Sequence, residues 1–373
     1  MKCQIDQITI HLVRLSLKAP FTTSFGTVSD RDQILIEVSG GGISGWGESA
    51  VLPMPFYNPE TTGTALHILS EFAIPIFWAT RPVSPEALAV ALRKIIGNHI
   101  GRSGLEMAYW DWHAKAAGQP LYRYLGGARS AIEVGVSLGI TDRPEQLYDQ
   151  VGGFLERGYK KIKVKIAPGF DLQVVEEILQ RYPNCPLMVD ANSAYTRADI
   201  PLFKKMDRFN LMMIEQPFRD DDLLEHAELQ GAIRNPVCLD ESVKHIHDAH
   251  AAAHLKSCRI INIKPGRVGG IHETKLIHDF GQSVGIGVWC GGMLETGVGR
   301  ATNMAIATLP NFIYPGDISE SARHYHDDIV DPPIVLNKDG TLSLSEAPGI
   351  GVQVTPEKLQ RYTVKTLTYR APA

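Results

Sequence analysis

Cysteine is scarce in this 373-residue chain: there are five, and none are spaced as CxxC. An odd count without that spacing argues against a disulfide framework. Cys185, Cys238, Cys258 and Cys290 fall in or beside predicted strands and are expected to be buried, reduced thiols of a cytoplasmic protein. Long apolar runs are also missing, and no stretch reaches the length that spans a membrane. The N-terminal residues alternate like a strand and lack the apolar core of a secretory signal. Positive charge is not in excess: the net charge is −4, and no basic stripe suggests nucleic acid as a partner. The glycines of 40–45 follow neither a dinucleotide nor a P-loop spacing and read as a hairpin turn. Low-complexity segments and long linkers are absent as well.

What is present is an ordinary soluble composition, 44% hydrophobic and 21% charged, and a periodic series of charges. Lys165, Asp190, Glu215, Asp240 and Lys264 each close a short apolar run, at spacings of 25, 25, 25 and 24 residues. A charge at the end of a buried strand is costly unless it has a partner or a task. A repeat of this length fits one strand plus one helix. Amphipathic patterns over 171–182, 199–207, 223–233, 246–255 and 271–285 supply the helices. Further strands are predicted over 132–139, 287–292 and 311–317, giving eight. The predicted fold is therefore α/β, a (β/α)-barrel with its site at the carboxyl ends of the strands.

Strands over 4–15, 33–39 and 43–49, then helices over 60–80, 85–96 and 103–117, indicate a separate α+β unit. We expect a capping domain over 1–125, the barrel over 126–325, and a tail over 326–373 that returns to the cap. Residues 19–26, with Phe21 and Phe25, read as a loop that either is anchored or forms a lid; Tyr57 is a similar case.

Asp190, Glu215 and Asp240 offer three hard carboxylates from adjacent strand ends, which suits Mg²⁺, with Mn²⁺ as a substitute. Lys163 and Lys165 share one face of their strand and are expected to lower each other's pKa, leaving Lys165 able to act as a base. Lys264 arises roughly across the barrel. A metal holding a substrate carboxylate would stabilise an enediolate as the α-proton leaves. Ser137 and Asn192 are placed to touch a ligand. Lys161, at the strand start, reads as structural. His245, His247, His250 and His254 fall on or just before an outer helix and read as a solvated face. Cys290 lacks a paired histidine and is not expected to be a nucleophile.

Taken in order, KVK (163–165), VDAN (189–192), IEQP (214–217), LDES (239–242) and NIKPGRVGG (262–270) resemble the muconate-lactonising branch of the enolase superfamily. GVWCGGMLETGVGRA (287–301) and LPNFIYPGDIS (309–319) resemble the o-succinylbenzoate synthase / N-succinylamino acid racemase family within it. Asp317-Ile318-Ser319 departs from the Asp-x-Asp pair of the dipeptide epimerases. The resemblance implies Lys165 as base, Lys264 opposite it, Lys163 tuning the base, and Mg²⁺ on Asp190, Glu215 and Asp240. It implies substrate contacts from Ser137, Asn192, Gly291, Met293 and Leu294, and covering loops carrying Phe21, Phe25 and Tyr57. Arg267 matches an arginine associated with racemase capability.

The implied reaction is removal of a proton α to a carboxylate, either in a syn dehydration or in a racemisation between the two lysines. The implied partner is a small carboxylate substrate, and a homo-oligomer is expected. Racemisation alone, or another cycloisomerase or epimerase reaction of the branch, is the alternative. A Schiff-base aldolase would leave the three carboxylates without a purpose. A non-catalytic binding protein would have no reason to keep the full set.

Overall fold

The computed structural model describes residues 5–23, 26–141 and 143–372, with side chains of 21–23 and 26 left aside. The first layer is an antiparallel sheet of β1 (Gln7–Thr23), β2 (Gly26–Gly40) and β3 (Ile43–Ser49). The predicted turn at Gly41–Gly42 joins β2 to β3, with Gly40 opposite Ile43. Where the sequence predicts a loop over 19–26, the backbone of β1 instead continues to Thr23 and pairs Phe21 with Val28. Alternating residues such as Ile8, Ile10, Ile34 and Ile36 bury one face of this sheet against the helix His99–Ala116, as period-two patterning requires. Ser103, read as a helix start, lies inside that helix and is buried; its hydroxyl bonds the Ile100 carbonyl instead.

The second layer is a barrel. A parallel sheet runs β5 (Gly135–Leu138), β6 (Lys161–Lys165), β7 (Leu187–Asp190), β8 (Ile214–Glu215), β9 (Val237–Leu239), β10 (Ile260–Ile263) and β11 (Gly287–Cys290) in order. The sequence predicts eight strands, and among the described residues seven form this sheet. The eighth place is taken by residues 312–317, which bridge Val288 on one side and Val134 on the other. The Gly135 N–H donates to the Gly316 carbonyl, and the Asp317 N–H to the Cys290 carbonyl, so the ring closes through irregular backbone. The predicted strand 132–139 also divides. β4 (Ala131–Glu133) pairs antiparallel with β13 (Thr341–Ser343), and only β5 joins the barrel.

The interior is filled by Met188, Met213, Cys238, Ile260 and Trp289, a packed plug rather than a pore. Around it stand the predicted helices, found at 172–181, 200–206, 224–232, 246–255 and 271–284. A further helix, Gly297–Ile306, follows β11 and its loop. Gly297 is required there because a Cβ would sit 2.1 Å from Val330. Beyond the barrel, β12 (Val330–Asp331) pairs with β14 (Gln353–Val354), and β15 (Thr363–Arg370) adds to the free edge of β1.

Candidate active site

The periodic charges converge because parallel register carries them side by side. Lys165 stands opposite Asp190, and Asp190 opposite Glu215; Asp240 and Lys264 follow β9 and β10 directly. All five are buried. Four places in an eight-membered ring separate β6 from β10, so Lys165 and Lys264 approach from opposite sides. Both line one cavity of about 110 Å³ at the barrel mouth, beneath the capping sheet.

The Lys165 ammonium lies 2.5 Å from Asp190 Oδ2 and 2.5 Å from Asn192 Oδ1. Lys264 donates to Asp240 Oδ2 at 2.8 Å and to the Tyr57 hydroxyl at 2.9 Å. Although burial disfavours its charge, Asp240 above all, then Tyr57 and Glu241, raises the Lys264 pKa. Asn192 and Gln216 adopt left-handed backbone, at φ 41° and 37°, a strained region for such residues. The strain has a use: Asn192 reaches Lys165, while the Gln216 amide accepts from the Asp240 N–H at 2.9 Å and donates to Ser242 at 2.8 Å. Neighbouring strand ends are thereby tied together.

Lys163 corrects the sequence expectation. Its ammonium stands 2.6 Å from Asp317, 3.1 Å from Glu215 and 3.2 Å from Asp190. Burial alone would lower its pKa, but Asp317, Glu215 and Asp190 together raise it well above the usual value. Three carboxylates outweigh one neighbouring lysine. Asp317 also meets Lys161 at 3.1 Å, and Lys161 rests 3.4 Å over the Trp289 ring, so Lys161 is part of the barrel floor. In sequence the Asp317 triplet shows only the absence of the Asp-x-Asp motif. Asp317 closes the eighth segment at the level of the other charges, which is the signal that marks it.

The three carboxylates form a hard-oxygen donor set. Burial, then the charge on Asp190, pushes Glu215 up to about 8. Burial opposes ionisation of Asp190 and Asp240 too, yet Lys165 and Lys163 hold the first low, and Arg267 and Lys264 the second. As arranged, ammonium and guanidinium groups occupy these oxygens, and among the described residues no three ligand side chains close into a metal cage. The chemistry of the donors fits a divalent cation such as Mg²⁺, which would compete with the lysines for the same oxygens.

Ser137, Asn192, Tyr57, Met293 and Leu294 line the cavity, and the Ser137 hydroxyl is buried without a partner. Gly291 does not line it: a Cβ there would meet Asn262 Oδ1 at 2.4 Å, and Gly292 faces the cavity instead. Phe25 and the Phe21 side chain lie outside the described residues. Arg267 lies under Asp240, bonding its Oδ1 and donating to the Asn262 carbonyl at 2.6 Å. Of the four histidines, His247, His250 and His254 are exposed as expected, whereas His245 is half-buried and its ring accepts from the Asp248 N–H at the start of the helix Ile246–Leu255.

Residues that the sequence reading missed include Asn262, which donates to Glu215 at 2.7 Å, and buried Glu241, which accepts from Asn192 at 2.8 Å. Arg31, Arg300 and His324 line the far wall; they come from distant segments, and no local pattern announces them.

Comparison with known proteins agrees with this geometry. Residues 5–126 match the mandelate racemase / muconate lactonizing enzyme N-terminal domain, and residues 146–358 match the enolase C-terminal domain-like family. The chain belongs to the mandelate racemase / muconate lactonizing enzyme group of the enolase superfamily. It is 46% identical over 364 residues to an o-succinylbenzoate synthase of Geobacillus kaustophilus, covering 97% of each. It is 42% identical over 361 residues to an N-succinylamino acid racemase of Thermus thermophilus, covering 97% of this chain and 98% of that one. Its fold matches an enolase-superfamily member from Listeria innocua with a TM-score of 0.96 at 38% identity, over 99% of both chains. Enzymes of the superfamily use Mg²⁺.

Proposed function

We propose that this enzyme removes a proton α to a carboxylate, acting as an o-succinylbenzoate synthase that also racemises N-succinylamino acids. The observation that carries the reading is Lys165 and Lys264 entering one buried cavity from opposite sides, above three carboxylates. In the dehydration of 2-succinyl-6-hydroxy-2,4-cyclohexadiene-1-carboxylate, Lys165 takes the α-proton. It then returns a proton to the departing hydroxyl, releasing water and leaving the aromatic ring. Lys264, cationic beside Asp240, stabilises the enediolate electrostatically. In racemisation one lysine takes the α-proton and the other supplies one on the opposite face. Lys163, held cationic by Asp317, Glu215 and Asp190, acts on Lys165 through its charge. Mg²⁺ held by Asp190, Glu215 and Asp240 would supply positive charge to the substrate carboxylate. Ser137 offers its free hydroxyl, and Tyr57 closes the cavity over Lys264. We place the enzyme in the cytoplasm as a homo-oligomer, which light scattering tests.

Support for both activities comes from the relatives, which carry both names at similar identity. The test is loss of the diene absorbance on mixing with Mg²⁺, followed by polarimetry on an N-succinylamino acid. Metal-dependent loss is expected. No loss together with racemisation would leave the racemase alone, and neither activity would overturn the reading.

A further inference from the structure

The turn that follows β11 carries a strained residue that lines the cavity. Leu294 has a φ of 58°, in the left-handed region that a bulky side chain rarely adopts. It is the one apolar residue among the described non-glycine residues with positive φ. Such strain persists only where the surroundings over-determine it, and it gathers at ligand clamps. Here the surroundings come from outside the barrel. The Leu294 carbonyl accepts from the Gln33 amide at 2.7 Å and from the Tyr325 hydroxyl at 2.6 Å, so both of its lone pairs are engaged. Gln33 lies on β2 of the capping sheet and is fully buried; Tyr325 lies in the segment after the eighth barrel place and is almost as deep. Arg31, also on β2, donates to the Met293 carbonyl at 3.0 Å and to Gln33 Oε1 at 3.4 Å, which turns the Gln33 amide nitrogen towards Leu294. At the far end of the turn the Thr296 N–H is held by Glu48 of β3 at 3.0 Å. Met293 packs against the core of the capping unit.

Met293 and Leu294 bring apolar bodies to a cavity whose lysine side is charged. With the carboxylate and α-carbon of a substrate held among those charges, an apolar wall is left for its side chain. We infer that Gln33 and Tyr325 are positioning residues that clamp Leu294 in left-handed backbone, and that this clamp sets the wall which selects substrates by side-chain size. Neither residue is among those that line the cavity; both act through the Leu294 carbonyl. Without them the leucine relaxes into ordinary backbone and the wall moves. The inference rests on the proposed function and deepens it: substrate range is set from the capping sheet and the tail rather than by the barrel strands.

Two measurements on the full chain test it, and the first needs no substrate. Alanine normally stabilises more than glycine, because glycine loses more backbone freedom on folding, but at a left-handed position the order inverts. Thermal melts should therefore place Leu294→Gly above Leu294→Ala in otherwise wild-type protein. In a Tyr325→Phe/Gln33→Met background, where the clamp lacks both donors, the order is expected to revert. Should that pair not fold, Tyr325→Phe alone is expected to narrow the gap. Alanine above glycine in the intact protein, or an order indifferent to the background, overturns the clamp. The second measurement follows α-proton exchange in D₂O with Mg²⁺ for N-succinylalanine and N-succinylphenylalanine. Wild type is expected to separate them by at least about tenfold in kcat/KM. Tyr325→Phe, which loses only a hydroxyl, should bring that ratio towards one, through KM more than kcat. A wild type that treats both alike overturns the specificity role. So does a Tyr325→Phe protein slowed equally on both, since that is what general loosening would do. No exchange of either substrate sinks the proton-transfer reading and the specificity role together, while the melts still decide the clamp. Exchange without the predicted order in the melts leaves the reaction standing and removes the clamp.

Discussion

Lys165 and Lys264 are the residues on which the reading turns, and each is held by a carboxylate one strand away. General acid–base groups contribute roughly 10²- to 10⁴-fold. Lys165→Ala is therefore expected to lower kcat for dehydration by at least about 10²-fold, with the fold unchanged by circular dichroism. A variant with full rate would remove Lys165 as the base. Asp317 is the residue whose weight the sequence hid. It is the shared counter-charge of two buried lysines, and removing one partner of a buried ion pair costs about 3–5 kcal/mol. Asp317→Ala should show a loss of that order in urea unfolding. A cost near zero would mean that Glu215 and Asp190 suffice for Lys163. Local pattern exposed the charges at strand ends. It could not expose their partners, because pKa direction depends on which carboxylates crowd one ammonium.

Between elements, the two layers are joined by acidic residues of the capping unit placed at the starts of barrel helices. Glu106 accepts from the Ile271 and His272 N–H groups at 2.8 and 2.9 Å. Glu48 accepts from Thr296 and Gly299 at 3.0 and 2.9 Å. These are donors that a helix leaves without internal partners. Glu106→Ala is expected to destabilise by about 1–3 kcal/mol, read from thermal melts. Burial pushes both carboxyls up to about 7, against the bonds they accept. A raised folded pKa means that the folded state holds its proton longer than the unfolded state. Their contribution to stability therefore falls as pH rises from about 4.5 to about 7, and is lowest above that. Glu106→Gln should flatten part of this slope in urea unfolding across that range. An unchanged slope would mean that the carboxyl is already ionised at the low end.

At the scale of the whole molecule, a cation binding only the folded barrel must stabilise it, by an amount that grows with its concentration. Adding Mg²⁺ to chelated protein should raise Tm in a dose-dependent way and restore activity. A Tm indifferent to Mg²⁺, with activity intact in chelator, would remove the metal from the proposal.

The fold's periodic part was legible in the sequence. One strand plus one helix repeats every 25 residues, and parallel pairing turns equal spacing into spatial adjacency, so the charges of β6 to β10 had to meet at one rim. The irregular part was not. The eighth barrel place, the division of 132–139 between two partners, and the helix at Gly297–Ile306 depend on backbone bonds and close approaches between distant segments. The sequence by itself determined the α/β class and the five charged residues at the mouth, because both follow from local periodicity. Only the tertiary structure decided that Asp317 governs Lys163, that Gly291 yields its place to Gly292, and that Arg31 reaches the cavity from another sheet. Burial and pairing are set by neighbours that no stretch of sequence contains.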